Sequence, residues 1–119
     1  MALIIYHNAR CSKSRKTLQI INNAGISPAI VHYLDDMPDA AAILDIAAML
    51  GVAVATLLRK HEEVFKDATD LPDLDDDAAL AGWIAAHPIV LERPIVVDAE
   101  AGKAIVGRPP ENVEELLGR

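Results

Sequence analysis

The chain has 119 residues, a net charge of −7, and a makeup that is 52% hydrophobic but only 3% aromatic. That length reads as one domain over 1–119 with a core of Leu, Ile, Val and Ala, and the acidity speaks against nonspecific nucleic-acid binding, which runs on Lys and Arg contacts to phosphate. No uncharged run approaches the ~20 residues of a membrane span and no charged segment leads into an apolar signal core, so the chain is read as soluble and cytoplasmic without membrane contact; a monomer is expected.

In chain order, Leu3-Ile4-Ile5-Tyr6 is a short β-branched stretch that reads as a buried strand. A polar run from His7 to Lys16 follows, and Thr17-Leu18-Gln19-Ile20-Ile21 then opens an apolar pattern at helical spacing that stops at Gly25. Ala29-Ile30-Val31-His32-Tyr33-Leu34 is a second strand, completing a βαβ unit with a right-handed crossover. Asp39 suits the N-cap of a helix over 40–50, with Ile43, Ile46, Ala47 and Leu50 as its apolar stripe and Gly51 as its stop. Val54 to Arg59 reads as one or two helical turns, and 61–74 as an irregular charged loop. Asp75 is expected to cap a helix from about Asp76 to Ala86 that buries Leu80, Trp83 and Ile84 and ends at His87-Pro88. Ile95-Val96-Val97 and Ala104-Ile105-Val106 form a hairpin across a Gly-containing connector. Pro109-Pro110-Glu111 starts a last helix with Val113, Leu116 and Leu117 inward.

The single cysteine, Cys11, therefore stands at a strand-to-helix turn, where unsatisfied backbone N–H groups favour negative charge. Arg10, Lys13, Arg15 and Lys16 crowd around it, while all 18 acidic residues lie at or beyond Asp35. A lone cysteine is most often a small buried hydrophobe. Polar cationic flanks do not suit a core position, and such surroundings lower a thiol pKa to roughly 3.5–7.5 from about 8.5. A cationic loop in an acidic protein suits a small anion, and one cysteine cannot close an internal disulfide, so any redox cycle must borrow a thiol from another molecule.

Spacing excludes several relatives. A phosphatase-type Cys-x5-Arg loop is broken by Thr17, a Cys-x-x-Cys dithiol by Ser14, and a phosphate-cradling glycine loop by the absence of glycine from the turn. The aspartates Asp70, Asp73, Asp75, Asp76 and Asp77 lack the glycine and distal glutamate of a calcium loop. His7, His32, His61 and His87 have no metal-ligand spacing with Cys11, so no metal is expected; His61 reads as a surface residue and His87 as a helix end.

The order β-α-β, helices, β-β-α is that of an α/β thioredoxin-like domain: a mixed four-stranded sheet with a helical insertion, about 39–87, between strands 2 and 3. The stretch from Tyr6 to Leu18, Leu57-Leu58-Arg59-Lys60, His87-Pro88-Ile89 with Glu92-Arg93-Pro94-Ile95-Val96-Val97, and Gly107-Arg108-Pro109 resemble the glutaredoxin-dependent arsenate reductase family. The resemblance covers nearly the whole chain, and the Cys-Ser-Lys-Ser-Arg loop with the Gly-Arg-Pro-Pro-Glu ending looks closest to a short branch of it.

The resemblance implies that Cys11 attacks arsenate, that His7 and Ser14 help to activate its thiolate, and that Arg15 is the loop arginine. It assigns Arg59, Arg93 and Arg108 to the oxyanion and makes Pro94 a cis-proline. Glutathione is implied as co-substrate and glutaredoxin as protein partner, with no cofactor bound. Guanidinium groups that grip oxyanion oxygens in pairs would also screen the repulsion between thiolate and arsenate. Any one arginine taken alone is more commonly a surface ion pair. Two rivals remain: an Spx-like redox-sensing regulator that binds RNA polymerase, and a monothiol glutaredoxin-like enzyme with no need of the three arginines.

Overall fold

The computed structural model describes residues 1–118. In chain order these form β1 (Leu3–His7), α1 (Ser12–Asn23), β2 (Ala29–His32), α2 (Ala40–Leu50), α3 (Glu63–Lys66), α4 (Asp77–Ala86), β3 (Ile95–Asp98), β4 (Lys103–Val106) and α5 (Glu114–Leu117). Single 3-10 turns occupy Val54–Leu57, Pro88–Val90 and Pro110–Val113. The strands form one mixed sheet in the order β2-β1-β3-β4, with β1 parallel to β2 and the other pairs antiparallel. This is the α/β arrangement expected.

The chain divides into two compact units, one made of Met1–Asp36 with the segment from Arg93 onward, the other of Met37–Glu92. The first contains the whole sheet. One face of it carries Leu3, Ile5, Val96 and Ile105, which pack with Ile21 of α1 and with Val113 and Leu116 of the last helical segment. Truncating a fully buried member such as Ile5 is expected to cost about 2–5 kcal/mol through lost transfer energy and a cavity.

α1 begins five residues before the apolar pattern does. Cys11 is its extended N-cap (φ −91°, ψ 120°), and Ser14 lies on the same buried stripe as Thr17 and Ile21. A hydroxyl holding a stripe position conceals the first turn from hydrophobic periodicity. β2 ends at His32 rather than Leu34, because the amides of Asp35 and Asp36 both donate to His32 O (3.0 and 2.9 Å) and turn the chain.

In the second unit α2, α4 and the Val54–Leu57 turn pack on one another. Asp39 caps α2 by accepting from Ala42 N–H (2.9 Å), and Gly51 ends it in a left-handed conformation (φ 70°) that an L side chain disfavours. α4 is capped by Asp76, not Asp75: Asp76 Oδ1 accepts from Ala79 N–H (3.1 Å), while the amide of Asp75 donates to Asp73 Oδ1 in an Asx turn. The stretch after Val54 leaves the helical state at Leu58, which forms an isolated antiparallel bridge with Leu91. His87 caps the C-terminus of α4 and stacks on Trp83, ring centroids 4.2 Å apart. Among the described residues no helix is long and apolar enough to cross a membrane.

Candidate active site

Strand register alone brings three distant segments together. β3 pairs β4 with Ile95 opposite Val106, so the same register continued past the strand ends sets Pro94 opposite Gly107 and Arg93 opposite Arg108. Two bonds mark the continuation: Gly107 N–H donates to Pro94 O (2.9 Å), and Arg108 Nη1 donates to Arg93 O (3.0 Å). β1 pairs β3 with Tyr6 opposite Ile95, which places His7 beside Pro94 and starts the Cys11 loop there. The Arg93–Pro94 and Arg108–Pro109 peptide bonds are both cis, the second without a forecast from the sequence.

The loop is built around Asn8, which is buried. Its carbonyl accepts from Cys11 N–H (3.0 Å), closing a four-residue turn, and its Oδ1 accepts from Arg10 N–H (3.0 Å). Its own amide N–H donates to Ser14 Oγ (3.1 Å), and Oγ stands 2.6 Å from His7 Nδ1. Burial, then the neighbouring His32 and Arg15 charges, hold His7 below its ordinary pKa and favour the neutral ring. Either neutral tautomer satisfies this pair, because the Ser14 hydroxyl can donate to Nδ1 or accept from Nδ1–H.

Cys11 is half-buried, and its sulfur lies 3.8 Å from Arg108 Nη1. Desolvation pushes its pKa up. The amide dipoles of Ser14 and Lys13 at the start of α1, with the hydrogen bond and charge of Arg108, outweigh that and leave the thiol below its ordinary value. That lowering enlarges the thiolate fraction, beside a guanidinium suited to oxyanion oxygens.

Cys11, His7, Ser14, Pro94, Arg93 and Arg108 all belong to the first unit. Arg15 also does; its guanidinium donates to Ala9 O (2.8 Å), which fastens the loop. Arg59 belongs to the second unit, where Nη1 pairs with Glu92 (3.0 Å), Nε with Glu62 (3.3 Å) and Nη2 with His61 Nε2 (2.8 Å). Its backbone is fixed by Arg59 N–H to Val90 O (2.7 Å), the ladder that also joins Glu92 N–H to Leu57 O (2.7 Å). Among the described residues no three His, Cys, Asp or Glu side chains are placed to hold a metal.

Three residues with structural parts in this site escaped the sequence reading. Asn8 carried a usable signal, since asparagine between a strand and a helix is a turn former. Thr17 and Gly107 carried none on their own. A Cβ at Gly107 would fall 2.7 Å from Pro94 Cγ and would collide with Thr17 Oγ1, so only glycine lets the end of β4 approach α1 and Pro94 this closely.

The ArsC family model matches residues 6–116. An arsenate reductase of Neisseria meningitidis serogroup A is 47% identical over 115 residues, covering 95% of this chain and 96% of that protein. One from Haemophilus influenzae is 42% identical over 119 residues, covering 98% and 100%. The solved arsenate reductase from Vibrio cholerae superposes with a TM-score of 0.85 at 40% identity, covering 97% of each chain.

Proposed function

The chain belongs to the ArsC family, and from that membership we propose that it is an arsenate reductase whose nucleophile is Cys11. Arg108 carries the reading: its guanidinium nitrogen lies 3.8 Å from a sulfur of lowered pKa, which supports its sharing an oxyanion with Cys11. Arg93, opposite Arg108 in the hairpin register, is the second oxyanion arginine. Arg59 is the third on the strength of the resemblance, and Glu62 and Glu92 fix its side chain.

In the proposed sequence Cys11 attacks arsenic, an S–As bond forms, and one arsenate oxygen leaves as water after protonation. Glutathione thiol displaces a second oxygen, again as water. A glutaredoxin thiolate then attacks the glutathione sulfur. The As–S bond to glutathione breaks with its electron pair passing to arsenic, so As(V) becomes As(III) while the two external thiols are oxidised to a mixed disulfide. Water finally replaces Cys11 on arsenic, releasing arsenite and the thiolate. Because Cys11 is the chain's single cysteine, both electrons come from outside thiols.

The experiment is arsenite production from arsenate with glutathione and glutaredoxin. Cys11→Ser is expected to abolish it, and substantial residual turnover would remove Cys11 from the mechanism. The redox-regulator reading wants a second thiol at the position of Ser14. That residue is instead a fully buried hydroxyl bonded to His7 and Asn8.

A further inference from the structure

Beside the Cys11 loop, where β1 and β2 end, the first unit holds a cleft of about 270 Å³ that the steps above do not use. The loop from His7 to Arg10 lines one side, and His32, Leu34 and Asp35 line the other. His7 and Asn8 are buried, whereas Arg10, His32, Leu34 and Asp35 are exposed, so the cleft has a fixed floor and open walls. The parallel ladder sets His7 against His32, with ring centroids 5.9 Å apart.

The lining presents a definite set of charges and donors. Nδ1 of His7 is taken by Ser14, which leaves Nε2 as the ring nitrogen free to face the cleft. Arg10 adds a guanidinium, and Asp35 a carboxylate whose backbone is held by the turn to His32 O (3.0 Å). A cation, an imidazole and an anion around one small space match an α-amino acid head: carboxylate to Arg10, ammonium to Asp35, with Leu34 against the methylene stem. The volume falls short of the roughly 300–1,000 Å³ that holds a whole ligand, and suits one end of a longer molecule.

Reach is also right. The Asn8–Cys11 turn, closed by the 3.0 Å bond, keeps those two Cα atoms within about 7 Å. The span from a γ-glutamyl α-carbon to the following cysteine sulfur is comparable, about two extended residues or ~7 Å. We propose that this cleft is the subsite for the γ-glutamyl head of the thiol co-substrate, so that glutathione seated there presents its sulfur to arsenic on Cys11. The inference rests on the thiol-dependent reduction proposed above and adds to it where the reductant is held and by which groups.

Two exposed residues test it, Asp35→Asn and Arg10→Gln. With glutathione as thiol and glutaredoxin constant, each variant is expected to raise KM for glutathione about tenfold, the size of one lost charge-assisted hydrogen bond, and Asp35→Asn to do so with KM for arsenate unchanged. With cysteinylglycine, which lacks the glutamyl head, wild type and Asp35→Asn are expected to behave alike. A readout free of turnover is the titration of Cys11→Ser protein with unreactive S-methylglutathione. It should shift the ring resonances of His7 and His32, and Asp35→Asn should weaken that binding about tenfold. Unchanged KM for glutathione in both variants, an equal effect on both thiols, or no shift with S-methylglutathione would each overturn the subsite while leaving the reductase intact. A wild-type protein that makes no arsenite with glutathione and glutaredoxin would overturn both.

Discussion

Arg108 bears on the sulfur and His7 on the buried Ser14 hydroxyl of its loop, and each has its own signature. Arg108→Ala removes a hydrogen bond and a positive charge from Cys11, so the midpoint of its alkylation by iodoacetamide is expected to move to higher pH. The same variant should lose about 2–4 kcal/mol of transition-state stabilisation, a fall of roughly 30- to 1,000-fold in kcat/KM for arsenate. Arg108→Lys keeps the charge but not the two-point grip, and should recover the thiol midpoint better than the rate. For His7 the sign runs through folding. Its native pKa lies below the unfolded value of about 6.5, so above that pH both states are neutral and stability is unaffected. As pH falls below 6.5 the unfolded chain takes up a proton that the native ring refuses, and stability declines until the native ring also protonates. Denaturant unfolding at pH 7.5 and pH 5 is expected to show this loss in wild type, and a smaller one in His7→Gln.

At the scale of elements, the site depends on how closely the end of β4 approaches α1. Gly107 permits that approach, and its amide bond to Pro94 O keeps Arg93 and Arg108 in register. Gly107→Ala forces Thr17 and Pro94 to give way and is expected to cost about 1–3 kcal/mol of stability, as overpacking does. The displaced Arg108 should lower kcat/KM for arsenate by more than stability at the assay temperature explains. Unfolding and steady-state kinetics on the same sample measure both. An alanine variant with native arsenate kinetics would show that the register tolerates the shift.

For the whole molecule, two opposed fields act on an anionic substrate. The net charge of −7 repels a dianion, while the four basic residues of the first 34 attract it locally. At 0.1 M salt the screening length is about 10 Å, so the nearby cations dominate at the sulfur and the distant acids are screened. Raising ionic strength from 0.05 to 0.5 M is therefore expected to lower kcat/KM for arsenate. A rise would mean that the overall negative field controls encounter.

Sequence by itself determined the class of fold and pointed to the loop where the chemistry is proposed. Period-two and helical apolar patterns named the strands and main helices, and one cysteine among cations marked the candidate nucleophile, because both signals are local. Tertiary structure alone decided which of the implied groups meet. Arg93 and Arg108 oppose each other through the Ile95–Val106 register, and Arg108 reaches the Cys11 sulfur. The places of Asn8, Thr17 and Gly107 emerged only there as well. Asn8 ties its own loop together through Arg10, Cys11 and Ser14, and Gly107 leaves a space for Thr17 and Pro94; neither requirement leaves a periodic trace in the sequence.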